Sequence, residues 1–223
     1  AHRNRLAFTR TTSGKFDRNM GVWHAPSGKL IKLAQPQQFL AQDRRIIDTA
    51  YPGDIVGLFD PGVFGIGDTL CDPAHKFKFE DFPVFPPERF ARVAAKDTMK
   101  RKQFTKGIEQ IAQEGAIQIF QERNTGMEEI IVGVVGSLQF EVLTYRLKNE
   151  YNVEVRLDML PYEHIRWIEN YTEIAVSEIS GTSDMKLVKD LKDRPLLLFA
   201  HPWSIGMVLD RNKDLHLTEF SKN

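Results

Sequence analysis

The feature that most constrains how this chain folds is a change of hydrophobic period at a proline-rich boundary, residues 74–87. Before it, apolar residues recur in short alternating runs separated by Gly, Pro, Asp and Ser; after it, they return at helical spacing over longer stretches. One backbone segment satisfies only one of these periods, because strand side chains alternate faces while helical ones return about every 3.6 residues. The chain is therefore expected to divide into a β-rich first domain, residues 1–80, and a mixed second one, residues 88–223.

Residues 51–73 close the first domain. Two apolar runs, 55–59 and 69–71, each follow a Gly-Asp pair, and Asp60, Pro61 and Gly62 separate them in a strand, turn, strand pattern. Alternating runs at 6–10, 21–25, 29–33 and 46–48 raise the expectation to about six short strands. Strands spaced this closely predict a small antiparallel β-barrel. Residues 35–44, Gln-Pro-Gln-Gln-Phe-Leu-Ala-Gln-Asp-Arg, read as a surface loop interrupting it. Its glutamines and one aromatic also suit amide hydrogen bonding and stacking on RNA.

At 223 residues and 42% hydrophobic content the chain can bury a sizeable core. Its apolar runs are too short for a membrane helix, which needs about 18 residues, and its lone cysteine, Cys71, excludes an internal disulfide. A cytoplasmic protein without a membrane partner is the expectation. Net charge is zero but unevenly placed: residues 1–32 hold seven basic side chains against Asp17 alone. A second basic cluster comprises Lys96, Lys100, Arg101, Lys102 and Lys106. Such patches read as phosphate-facing surfaces or as ordinary solvated faces. At the boundary, Phe77, Phe79, Phe82 and Phe85 interleave with charged residues and prolines, a pattern fitting either a single-stranded nucleic acid platform or inter-domain packing.

The second domain opens with a strand at 89–95. Asp97 is expected to cap a helix with Phe104, Ile108, Ile111 and Ala112 on one face, ended by Gly115. Strands at 116–120 and 129–135 flank the turn Arg123-Asn124-Thr125-Gly126. Ser137 is expected to cap a second helix with Phe140, Leu143, Leu147 and Tyr151 as its stripe, and 153–157 form the last strand. This order is the β-α-β-β-α-β of a ferredoxin-like core, residues 88–160. Residues 161–223 read as a C-terminal α/β extension: strands at 165–168, 196–199, 205–209 and 215–217, and a helix capped by Asp184 and running to Leu191.

No constellation of catalytic type emerges. The six histidines do not pair at metal-ligand spacing, so no metal site is expected. Gly62-Val-Phe-Gly65-Ile-Gly67 has the letters of a reversed dinucleotide fingerprint but lacks the helix that would receive a phosphate. No phosphate loop occurs, and Asn212-Lys213-Asp214 lacks a residue of the guanine-reading Asn-Lys-x-Asp. The chain itself is therefore expected to be no enzyme and to hold no cofactor.

Pro52-Gly53-Asp54-Ile55 followed by Gly67-Asp68-Thr69-Leu70-Cys71-Asp72-Pro73 resembles the end of the second domain of translational GTPases, and the split β-α-β-β-α-β is similar to the third domain of elongation factor G. Within that superfamily, three stretches resemble bacterial peptide chain release factor 3, the class II release factors: Ser13-Gly14-Lys15-Phe16, residues 35–44, and Gly133-Val-Val-Gly136-Ser-Leu-Gln139-Phe-Glu-Val142. Residues 146–155 fit the same family.

The resemblance implies a C-terminal portion that lacks the GTPase domain and the first barrel strand, leaving an unpaired barrel edge. It implies a parent protein that uses GTP, with Mg, to dissociate class I release factors from the ribosome after peptide release. The portion in hand would be its ribosome-docking and coupling apparatus, with ribosomal RNA and small-subunit proteins as partners and class I release factors met indirectly. Its ribosome-facing candidates are Lys15, Arg18, Gln37, Gln38 and Arg44. The alternatives are domains II and III of an elongation factor G relative, or a stand-alone RNA-binding module. The latter needs exposed aromatics on the central strands, where 116–120 and 129–135 are mostly aliphatic.

Overall fold

The alternating runs of the N-terminal part form short antiparallel strands in the computed structural model, which describes residues 5–33, 37–40, 43–60, 62–80, 85–122 and 129–220. Among these, the N-terminal strands are β1 (Arg5–Arg10), β2 (Phe16–Asp17), β3 (Gly21–His24), β4 (Lys29–Lys32), β5 (Gln37–Leu40), β6 (Asp43–Ile46), β7 (Thr49–Ala50), β8 (Ile55–Asp60) and β9 (Leu70–Cys71). Hydrogen bonding distributes them over three sheets, ordered β1-β8-β5-β6, β2-β7 and β4-β3-β9. Phe16, Val22, Leu33, Ala50, Val56, Leu58 and Phe64 meet in one buried cluster.

Within the stretch expected as a surface loop, residues 37–40 and 43–44 are strand, and the remainder lies outside the described residues. Gln37 lies opposite both Gly57 of β8 and Ile46 of β6, and Phe39 opposite Arg44, so the glutamine stretch supplies most of a hairpin. Polar residues are compatible with an antiparallel strand that has one solvated face, which is why composition alone misread it. The strand expected at 46–48 is the end of β6 and the approach to β7.

The chain divides at Phe82 and Pro83 into two compact units. The second opens with β10 (Arg89–Ala95), α1 (Arg101–Gln113), β11 (Gln118–Glu122), β12 (Glu129–Val134), α2 (Leu138–Tyr151) and β13 (Val155–Leu160). Their sheet order is β13-β10-β12-β11, with every neighbouring pair antiparallel. Strand alternation sends Ala91 and Val93 toward Phe104, Ile108 and Ile111 of α1 and Leu143 and Leu147 of α2. Phe90, Phe120 and Ile131 enter a second cluster with Ile165, Trp167, Leu196 and Leu198. The turn expected at Arg123–Gly126 lies outside the described residues.

Beyond β13 come β14 (His164–Ile168), β15 (Met185–Asp190), β16 (Pro195–Phe199), α3 (Pro202–Arg211) and β17 (Leu217–Thr218). Through β15 on β11 they extend the sheet to eight strands, ordered β13-β10-β12-β11-β15-β16-β14-β17. Every residue from Leu196 to Phe199 is buried because β16 is covered on both faces: Leu196 and Leu198 join Phe90 and Phe120, while Leu197 and Phe199 join Val208 of α3.

Three local expectations are corrected. The helix expected after Asp184 is strand β15, held on both edges by β11 and β16. Asp184 instead accepts the Ser204 hydroxyl in the first turn of α3, and that hydrogen bond holds its carboxyl below the usual range. The strand expected at 205–209 belongs to α3, whose first residue, Pro202, has the backbone angle a helix start requires. Ser137 precedes α2 but makes no side-chain cap. Gln139 instead ties down the approach to α2: its Oε1 accepts the Val135 and Gly136 N–H groups at 2.9 and 3.0 Å, and its Nε2 donates to the Ala116 carbonyl at 2.9 Å.

Candidate nucleic-acid interface

Lys15 and Arg18 flank β2, just after the turn in which Gly14 takes a φ of 73°. Lys15 Nζ lies 2.8 Å from Asp17 Oδ1, and that hydrogen bond, with the carboxylate charge, raises the ammonium above its ordinary range. Arg18 Nη1 lies 3.4 Å from Asp48 Oδ1, while the Arg18 N–H donates to the Asp48 carbonyl at 2.8 Å. Asp48 follows β6, four residues beyond Arg44. The fold thus brings Arg18 to the exit of the strand bearing Arg44. Gln37 and Gln38 sit on the neighbouring β5, Gln38 opposite Arg45. The side chains of Gln37, Gln38 and Arg44 lie outside the described part.

Beside the turn carrying Lys15 lies an open cavity of about 380 Å³, floored by Met20, Val22, Leu33 and Leu58 and rimmed by Arg10, Ser13 and His75. Of the boundary aromatics, Phe77 and Phe79 pack within this unit, while Phe85 belongs to the second, its carbonyl accepting from Gln118 Nε2 at 3.0 Å. Phe77 and Phe79 pack edge to face with centroids 4.9 Å apart, and the Phe79 N–H donates to Thr69 Oγ1 at 3.0 Å. Lys76 Nζ stands 5.6 Å from the Trp23 ring centroid. Phe82 lies outside the described residues.

The glycine-rich turn does not fit a nucleotide phosphate. Such a cradle needs several N–H groups aimed at one anion, and here those groups are occupied. Asp60 Oδ1 accepts the N–H groups of Gly62, Val63 and Phe64 at 2.8, 2.8 and 3.1 Å, and Asp68 Oδ2 accepts that of Gly65 at 2.7 Å. Asp68 also meets buried His24 Nε2 at 2.8 Å, whose Nδ1 faces Ser27 Oγ at 2.7 Å. The two carboxylates make a rigid knuckle and repel further negative charge. Sequence reasoning missed the His24 to Asp68 link because its partners stand 44 residues apart. Among the described residues no cluster of His, Cys, Asp and Glu is arranged to hold a metal, and no helix is long and apolar enough to cross a membrane.

Residues 79–209 match the family model for the class II release factor RF3, C-terminal domain. The chain belongs to the class II release factor RF3 family. Residues 1–73 match the model for elongation factor G domain 2. Proteins named peptide chain release factor 3 are similar over nearly the whole chain. That of Symbiobacterium thermophilum is 50% identical over 96% of this chain and 40% of its own length. Those of Listeria welshimeri and Nostoc punctiforme are 46% and 44% identical, over 98% and 97% of this chain. The chain spans about two fifths of the length of these RF3 relatives. A crystal structure from Thermus thermophilus shares the fold, with a TM-score of 0.58 at 17% identity over 73% of this chain and 26% of that one.

Proposed function

We propose that this RF3 chain is the ribosome-docking and coupling part of a protein that uses GTP to dissociate class I release factors from the ribosome after peptide release. The observation carrying the reading is the 50% identity to a peptide chain release factor 3 over 96% of the chain. Residues 1–80 are assigned to a domain II β-barrel, 88–160 to a ferredoxin-like domain III core, and 161–223 to its C-terminal extension. The partners are ribosomal RNA and small-subunit proteins, met in the cytoplasm, with class I release factors affected indirectly. Lys15, Arg18, Gln37, Gln38 and Arg44 form the ribosome-facing group, and GTP with its Mg is handled elsewhere in the parent protein.

Co-sedimentation of the purified chain with ribosomes across a salt series tests this. Phosphate contacts release counterions, so affinity falls steeply with salt, and Lys15→Ala with Arg18→Ala lowers the slope of log K against log salt by about two units. Unchanged slope and affinity remove these two residues from the interface. Absence of ribosome binding at low salt overturns docking by this chain alone.

A further inference from the structure

We infer that the outward face of α1, carrying Lys102 and Lys106, is an RNA phosphate contact distinct from the turn bearing Lys15. The inference rests on the ribosome reading only for which RNA is met. Residues 96–106 hold five basic side chains against Asp97, whereas residues 83–223 together hold 19 basic and 21 acidic. The local excess is therefore not inherited from a basic unit.

Part of it has a structural explanation. Lys96 and Lys148 share Glu154 at 3.7 and 3.0 Å, which holds that carboxyl below its usual range. Lys100 Nζ donates to the Asn152 carbonyl at 2.7 Å, at the C-terminus of α2, where the helix dipole favours a cation. Lys102 and Lys106 are outside that arrangement. Both are exposed, one turn apart and about 6 Å along the helix, on the side opposite buried Phe104, Ile108 and Ile111.

An anion running along this face meets two exposed ammonium groups one helical turn apart. Lysine is depleted in protein-protein interfaces, whereas lysines clustered along a helix are the electrostatic footprint of a nucleic acid. The regular phosphates of RNA suit two cations repeated at one-turn spacing. Glu109, three residues beyond Lys106, ends the basic row.

The test uses the full chain, a fluorescein-labelled RNA duplex of about 20 base pairs and anisotropy between about 50 and 200 mM salt. Lys102→Ala/Lys106→Ala keeps the helix, since alanine is the best helix former, and circular dichroism checks this. The expected result is weaker binding with the log-log salt slope reduced by about two units, while the charge-matched Lys192→Ala/Lys213→Ala leaves the slope unchanged. A parent slope in the Lys102/Lys106 variant, or an equal drop in the control, overturns the inference. Ribosome co-sedimentation is run in parallel. If the double variant weakens ribosome binding but the parent ignores the duplex, the face meets an acidic protein and the RNA contact is wrong. If the duplex result holds while the parent fails to bind ribosomes, the α1 face stands and the ribosome reading falls.

Discussion

Gly107 sets two opposing effects against each other inside α1, and the geometry decides between them. Replacing a glycine in a helix interior with alanine ordinarily gains about 1 kcal/mol from helix propensity. A Cβ at Gly107, however, falls 2.8 Å from Tyr151 Cγ, 2.9 Å from Leu147 Cδ2 and 3.0 Å from Tyr151 Cδ2. The Leu147 methyl is the far end of a flexible side chain, but Leu147 is fully buried, and the ring base of Tyr151 is tied to the last turn of α2. Relief requires α1 and α2 to separate by several tenths of an ångström, which loosens Phe104 and Ile108 in the shared core. Overpacking of this kind costs about 1–3 kcal/mol. Steric cost exceeds propensity gain, leaving Gly107→Ala about 1 kcal/mol less stable, or about 2–4 °C in Tm for a chain of this size. Gly136→Ala, with no atom within 4 Å of its added methyl, is the control and stays within about 0.5 kcal/mol of the parent. Urea unfolding followed by far-ultraviolet circular dichroism measures both. A Gly107→Ala variant as stable as the parent, or more so, refutes the claim that close helix approach demands glycine here.

Gln139→Ala removes the three hydrogen bonds that tie the approach to α2 and the Ala116 carbonyl together and is expected to cost about 1–3 kcal/mol, whereas Ser137→Ala stays within about 0.5 kcal/mol; equal urea midpoints for the two variants would contradict this assignment of roles. Acid stability depends on Glu122. Burial pushes its carboxyl up, but hydrogen bonds from Lys186 and Arg92 outweigh this and leave it below the usual range. A depressed carboxyl contributes stability above its unfolded pKa and loses it as pH falls through the folded value, so Glu122→Gln should flatten the stability profile on the acid side of about pH 4.5. A variant whose acid limb matches the parent's would show the pair to be energetically silent.

The fold was legible where local signals agreed with tertiary pairing. The change of period at residues 74–87, the strand at 89–95 and the apolar stripes of α1 and α2 all follow from side-chain periodicity, and the structure repeats them. Asp97 caps the 3-10 turn Thr98–Lys100 that leads into α1, its Oδ1 accepting the Met99 N–H at 2.9 Å, while α1 itself starts after Lys100 without a side-chain cap. The misreadings share a cause. Residues 37–40 and 185–190 carry weak alternation, and what makes them strands is pairing on both edges: β5 with β6 along its length and with Gly57 of β8 at Gln37, and β15 with both β16 and β11. Residues 205–209 alternate poorly with either period. Their helix follows from Pro202 at its start and from Val208 packing beneath it against Leu197 and Phe199.

The candidate interface was legible as charge but not as pairing. A basic residue in a turn is visible in any sequence, and so is Asp17 two residues from Lys15, but Asp48 opposite Arg18 stands 30 residues away. These pairs change what the cations can do less than their short distances imply. Arg18 and Lys15 keep side-chain exposures of 44% and 49%, and exposed ion pairs contribute about 0–1 kcal/mol because water screens them. Exchanging Asp17 or Asp48 for a phosphate therefore costs little, while counterion release from the polyanion favours the exchange. The same reasoning separates these turn cations from Arg146, whose guanidinium binds both oxygens of Glu150 at 2.8 and 2.9 Å while also reaching Glu114. That guanidinium is pushed up in pKa by its carboxylate partners and only partly exposed, and it links α2 to the end of α1. A cation committed to two carboxylates in this way is scaffold, whereas one sharing a single solvated carboxylate stays available to a partner.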